Sequence, residues 1–171
     1  NGLDQAGVLE DTVIVIYGDH DSKIKKSEYV RYYNYVPETN SIKDETDDTY
    51  VDVDFYNYEL NRKVPFIIWS KNNNKHVVVN KVMGMYDIMP TLGNMFNFYN
   101  KYALGNDIFS IDENAVIFPD GNWLTDKMYY NSQKEEGLLL KPEEPVSVEY
   151  INKYTDMAEK KISISDKIIV Y

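Results

Sequence analysis

The sequence predicts an α/β domain with a mostly parallel sheet flanked by helices, followed by a small antiparallel hairpin subdomain and a C-terminal helix. Three observations carry this. Residues 13–16 in "DTVIVIYGDHDSK" and residues 64–69 in "KVPFIIWSK" are apolar runs without alternation, the pattern of strands covered on both faces. A helical pattern in "MYDIMPTLGNMFNFY" follows the second run, giving the strand, loop, helix order of α/β proteins. Toward the end, Val148, Ile151, Tyr154, Ala158, Ile162 and Ser165 recur at three and four, which is one face of an amphipathic helix.

In chain order, residues 1–11 read as the last turns of a helix that begins earlier, so the sequence reads as starting mid-domain. After the first strand, residues 22–35 suit a helix with its aromatic residues on one side. An acidic, turn-rich excursion follows and alternates at Val51, Val53 and Phe55, as a short strand does. Pro65 stands near the start of the second strand, where a missing N–H is tolerated. "NNNKHVVVNKV" predicts a turn and a short strand. In the next helix Asp87 suits the N-cap and Pro90 the first turn, with Ile88, Leu92, Met95 and Phe96 as the apolar stripe. Pro119, Asp120 and Gly121 then mark a hairpin turn between strand-like runs, because proline presets φ and glycine accepts positive φ. These readings divide the chain into residues 1–105, an α/β part, and residues 106–171, the hairpin and terminal helix.

Bulk properties remove whole classes of function. With 171 residues and 43% hydrophobic content, the chain buries one sizeable core. Twenty-eight acidic against 18 basic residues give a net charge of −10, which argues against nucleic acid as a partner. The absence of cysteine excludes thiolate metal sites, thiol nucleophiles and disulfides. No apolar run approaches the roughly 20 residues a membrane-spanning helix needs.

The chemistry concentrates at Gly18-Asp19-His20, just past the first strand. In open α/β sheets ligands gather outside the carboxyl ends of the strands. A carboxylate beside a neutral imidazole offers one hard oxygen and one borderline nitrogen, a pair suited to Mn²⁺, Zn²⁺ or Fe²⁺ and less to Ca²⁺. From the residues alone two readings stand: Asp19 and His20 as metal ligands, or Asp19 as a helix cap and His20 as a packed histidine. Asp21 and Lys23 follow closely, where they either orient His20 and meet a phosphate or are simply solvated.

"DTVIVIYGDHD", "LNRKVPFIIWSK", "YDIMPTLGNMF", "LGNDIFS", "DGNWLTDKMYY" and the ending "SDKIIVY" together resemble the C-terminal portion of the lipoteichoic acid synthase, or phosphoglycerol transferase, branch of the sulfatase and alkaline phosphatase superfamily. The resemblance runs in order through nearly the whole chain outside residues 25–59. It implies a partial sulfatase-like fold. It also implies that Asp19 and His20 bind the catalytic divalent ion, most commonly Mn²⁺, with Mg²⁺ or Zn²⁺ as substitutes. The nucleophile and the other ligands are expected in sequence that is not in this chain, so no catalytic residue is assigned here and the chain alone is expected to be inactive. The reaction implied is transfer of glycerol phosphate from a phospholipid donor at the extracytoplasmic face of the cell membrane, by a parent protein anchored upstream. The implied partners are a phosphatidylglycerol-type headgroup or a glycerol-phosphate polymer. A sulfatase, a phosphoethanolamine transferase and a noncatalytic envelope module on the same scaffold are the competing readings. Asp21 stands where many sulfatases carry glycine, which favours the transferase branch.

Other eye-catching residues have plainer readings. His76 lies in an asparagine-rich turn, and the acidic run at residues 44–48 lacks the spacing of a calcium loop. Trp69, at the end of a covered strand, is expected in the core, whereas Trp123 suits either the core or a flat ligand platform. Because the two apolar runs need cover on both faces, the chain alone is expected to expose an apolar face and to self-associate.

Overall fold

A computed structural model of the chain describes residues 2–21, 24–53, 58 and 63–170. The chain forms two compact units, Asn1–Val77 and Val78–Tyr171.

In the first unit, the short helix α1 (Gly2–Gln5) and a 3₁₀ turn at Leu9–Asp11 lead into strand β1 (Val13–Tyr17). Helix α2 (Lys26–Asn34) runs directly into β2 (Tyr35–Val36), which pairs with β3 (Ser41–Ile42) across a tight turn where Asn40 takes a φ of 50°. Strand β4 (Phe66–Ser70) returns alongside β1. The Lys71 ammonium just beyond β4 meets Asp4 at 3.2 Å and Glu10 at 2.6 Å, tying the amino-terminal turns to the end of the ladder.

Two expectations fail here. The pairing of β1 with β4 is antiparallel, with Val13 opposite Ser70 and Tyr17 opposite Phe66, and all the described strands pair antiparallel. An apolar run reports how much apolar surface a strand offers; the direction of its neighbour is set by the path of the intervening chain. Nor are the runs covered on both faces, because Val13, Ile16, Tyr17, Ile67 and Trp69 are exposed, Trp69 to 43%. The apolar face expected of the chain on its own is therefore present, and Trp69 is outside the core.

The excursion after α2 is organised by one amide. Buried Asn34 donates from Nδ2 to the Val51 carbonyl at 2.8 Å and accepts the Val51 N–H at Oδ1 at 2.7 Å, so its side chain imitates a strand partner. Val53 is thereby held in the core. Neither Val51 nor Val53 belongs to a strand, and Phe55 lies outside the described residues. Within the excursion Asp44 accepts the N–H and hydroxyl of Thr46, and Asp47 those of Thr49. These turn contacts, led by the threonine hydroxyls, hold both carboxyls below the usual range.

Val77, which closes the first unit, and Val78 and Val79, which open the second, are exposed and form no strand, against the short strand expected there. A 3₁₀ turn at Met85–Asp87 leads into α3 (Ile88–Phe96). Its buried side is Ile88, Thr91 and Gly93, while Met95 and Phe96 of the expected stripe are exposed. Strands β5 (Val116–Ile117), β6 (Trp123–Leu124), β7 (Met128–Asn131) and β8 (Glu136–Leu139) form an antiparallel meander. Gly121 supplies the positive φ of 86° in the β5–β6 turn. Helix α4 (Val148–Val170) lays Tyr154 and Ala158 on Ala115, Ile117, Trp123 and Met128 to form the core.

Asp87 is fully buried and its side chain does not cap α3. It accepts instead from the Gly84 N–H at 2.9 Å, the Asn106 N–H at 2.8 Å and Asn114 Nδ2 at 2.8 Å. These bonds stitch residues 84–91 to 106–114, so the expected boundary at 105/106 falls inside this unit. Among the described residues no helix is long and apolar enough to cross a membrane.

Candidate metal centre

Strand β1 ends at Tyr17, and the chain turns at once because Gly18 lies tight against the lead into β4. Its N–H donates to the Pro65 carbonyl at 3.2 Å, and a Cβ on Gly18 would stand 2.7 Å from the Val64 Cβ. Contacts under 3.0 Å force something to move, so Gly18→Ala is expected to displace the Asp19-His20 turn or the start of β4. Thermal melting of the variant, which overpacking typically costs 1–3 kcal/mol, checks it: an unchanged midpoint would show that the turn has slack.

The next two side chains emerge into solvent, His20 63% and Asp19 86% exposed. His20 Nδ1 lies 2.6 Å from the Asp21 carbonyl oxygen. A carbonyl only accepts, so Nδ1 carries the proton and the neutral ring keeps its lone pair on Nε2. That nitrogen is 3.7 Å from Asp19 Oδ1. Ligands at about 2.0–2.2 Å from one ion stand roughly 2.8–3.6 Å apart at octahedral to tetrahedral angles, so the pair would close by about 0.1–0.9 Å on binding, most at an octahedral ion. The Asp21 carbonyl first, and the Asp19 carboxylate after it, raise the His20 pKa above its ordinary value.

The donor chemistry of this pair fits a divalent cation: one imidazole with its tautomer set by a backbone acceptor, and one exposed carboxylate oxygen facing it. The fit covers two positions of a coordination sphere. Among the described residues no group of three or more His, Cys, Asp or Glu is placed to hold an ion. Asp21 touches the imidazole through its backbone carbonyl, and Lys23 lies outside the described residues. His76 is exposed.

The sequence reading missed two open depressions. One of about 390 Å³ is walled by Ile24, Glu28, Tyr29 and Tyr32, a few residues past His20. Another of about 420 Å³ belongs to the second unit, with Met89, Asn94, Phe98 and Tyr99 among its walls. Neither carries a periodicity that a sequence pattern detects, since each is formed by the way a helix end meets its flanking loop.

A family model described as Sulfatase matches residues 1–98, more than half of the chain, including β1, the Gly18-Asp19-His20 turn, β4 and α3. The chain belongs to the sulfatase family. The family membership agrees with the mixed helix and sheet architecture. This sulfatase-family chain is also 28% identical over 179 residues to a lipoteichoic acid synthase of Staphylococcus saprophyticus subsp. saprophyticus. The match takes in 99% of the chain and 24% of that protein, so the chain spans about a quarter of the length of this curated relative.

Proposed function

We propose that this sulfatase-family chain is part of a metal-dependent transferase that moves glycerol phosphate from a phospholipid donor at the extracytoplasmic face of the cell membrane. The relative's name and the in-order motifs support the reaction class. The observation that carries the site is the pairing of His20 Nε2 with Asp19 Oδ1 while Nδ1 is held by the Asp21 carbonyl. Asp19 and His20 would hold a divalent ion, with Mn²⁺ as the native choice, and its charge would supply activation of a hydroxyl nucleophile and neutralisation of phosphoryl oxygens. Asp19 contributes a hard anionic oxygen, and His20 contributes a nitrogen whose direction is fixed by its backbone partner. Asp21 acts as the positioning residue for that ring.

Calorimetric titration of the chain with Mn²⁺ and Zn²⁺ tests the site. With two ligands and water completing the sphere, Zn²⁺ is expected to bind more tightly than Mn²⁺, following the general affinity order. His20→Ala and Asp19→Ala are each expected to weaken binding by at least the roughly 10 to 100-fold typical of supporting contacts. Binding that ignores both substitutions would remove the metal assignment. In the whole protein the same substitutions are expected to abolish release of diacylglycerol from phosphatidylglycerol. Turnover of an aryl sulfate in its place would assign the family's other chemistry to this chain.

A further inference from the structure

Helix α2 begins five residues beyond Asp21, and it presents an unusual surface. Glu28, Arg31 and Tyr32 sit three and four apart on its outward side, while Val30 and Asn34 turn inward. Tyr32 is 78% exposed, and Ile24, Tyr33 and Tyr35 are exposed as well. Ile24, Tyr29 and Tyr32 give apolar walls to the 390 Å³ depression, with Glu28 at its edge. Tyr32 and Tyr33 meet edge to face at 5.2 Å, so the aromatic group is a preformed patch.

Charge separates this patch from the rest of the molecule. Residues 24–35 carry Lys25, Lys26 and Arg31 against the single carboxylate of Glu28, in a chain whose net charge is −10. Glu28 is already engaged, its Oε2 accepting the Lys25 N–H at 2.9 Å in the first turn of the helix. Arg31 lies over the Tyr35 ring at 5.5 Å, which keeps a cation among the aromatic rings. The acidic excursion is anchored at the other end of the helix, through Asn34. A molecule this acidic approaches an anionic surface only through a locally cationic face. Tyrosine with lysine and arginine is the combination that suits a membrane–water interface, because the ring is apolar on its body and wet at its hydroxyl.

We infer that α2 and its amino-terminal flank dock on the anionic headgroup surface of a phospholipid bilayer, with Tyr32 and Ile24 entering the interface and Lys25, Lys26 and Arg31 meeting phosphates. This rests on the phospholipid-donor reading above and deepens it: docking through α2 would hold the chain at the surface from which the donor is drawn.

Co-sedimentation of the full chain with vesicles tests this, using equal parts phosphatidylglycerol and phosphatidylcholine, against phosphatidylcholine alone, with chelator present throughout. Binding is expected to the anionic vesicles alone and to weaken with added salt. Each basic residue near an anionic surface is worth roughly fivefold in affinity, so Lys25→Gln with Arg31→Gln is expected to cost about 25-fold. Tyr32→Ser is expected to weaken binding at least threefold, roughly the cost of losing part of one interfacial ring. Far-UV circular dichroism verifies folding, and Lys26→Gln replaces the double variant if loss of the Arg31–Tyr35 contact unfolds α2. Asp19→Ala is expected to bind vesicles normally, so failure of the metal titration with vesicle binding intact sinks the metal reading alone. No anionic preference, no binding, or variants that bind like the parent chain would overturn the docking patch. Displacement by millimolar glycerol 3-phosphate would also overturn it, by assigning the patch to a free phosphate ester.

Discussion

Asp87→Ala is expected to destabilise residues 78–171 by about 3–5 kcal/mol, because it strands three buried hydrogen-bond donors. The carboxylate is fully buried and accepts three hydrogen bonds, from the Gly84 and Asn106 N–H groups and Asn114 Nδ2. Alanine leaves those three donors buried without an acceptor, and each unmet buried donor costs about 1–3 kcal/mol before relaxation. The damage spreads because Thr91, whose hydroxyl donates to the Asp87 carbonyl at 2.6 Å, also receives the Ile108 N–H at 3.1 Å. The substitution therefore loosens both the start of α3 and the segment it holds.

Lys161 offers an independent readout of the same change. Burial, the larger effect, lowers its pKa, and the Asp87 carboxylate works the other way. Its ammonium lies 4.8 Å from the centre of the Tyr86 ring. Removing Asp87 is expected to lower the Lys161 pKa further, and a lysine-resolved NMR titration measures it. Asp87→Asn keeps one acceptor oxygen but sets an NH₂ against the donors, so it is expected to recover only part of the loss. Chemical denaturation showing Asp87→Ala within about 1 kcal/mol of the parent chain would mean that water enters and satisfies the three donors.

The second large effect is expected at Trp123. Its ring is fully buried, stacked on Tyr130 at 5.1 Å and 17°, and tilted against Tyr154 at 5.4 Å and Tyr150 at 6.4 Å. Its Nε1–H donates to Thr155 Oγ1 at 3.3 Å. The ring thus ties the neighbouring strands β6 and β7 to α4, which lies further along the chain. Trp123→Ala is expected to cost about 3–5 kcal/mol, the range for emptying a large aromatic site. In a unit of this size that lowers the thermal midpoint by about 15 °C or more. The near-ultraviolet circular dichroism of the aromatic group is expected to collapse with it. Trp123→Phe, which keeps a ring but loses the Thr155 bond, is expected to sit between the two. A melting curve for Trp123→Ala that overlays the parent curve would show that α4 and the meander hold together without this residue.

Several elements were legible in the sequence because the forces that make them are local. The α4 stripe is one: Ile151, Tyr154, Ala158, Ile162 and Ser165 are buried or half-buried, as the spacing of three and four demands, and only Val148, in the first turn, departs from it by standing exposed. The Pro119-Asp120-Gly121 turn is another, since its φ requirement is met within the turn itself. The Asp19-His20 pair stands out as a candidate by its place just past an apolar run, and only the family resemblance of its surroundings chose between the two readings of it. What the sequence held back is whatever depends on atoms far away along the chain. Trp69, Ile16 and Ile67 look like core and are exposed, because burial requires a covering element and an apolar side chain does not supply its own. The direction of β4 beside β1 follows from the path of residues 18–65, and hydrophobic pattern is blind to it. Asp87 read as a helix cap; tertiary structure made it the shared acceptor for Gly84, Asn106 and Asn114, since a buried carboxylate takes whichever donors the fold brings to it. The orientation of His20 is a local matter by contrast, set by the carbonyl of the next residue, Asp21, through backbone torsions that composition and spacing do not record.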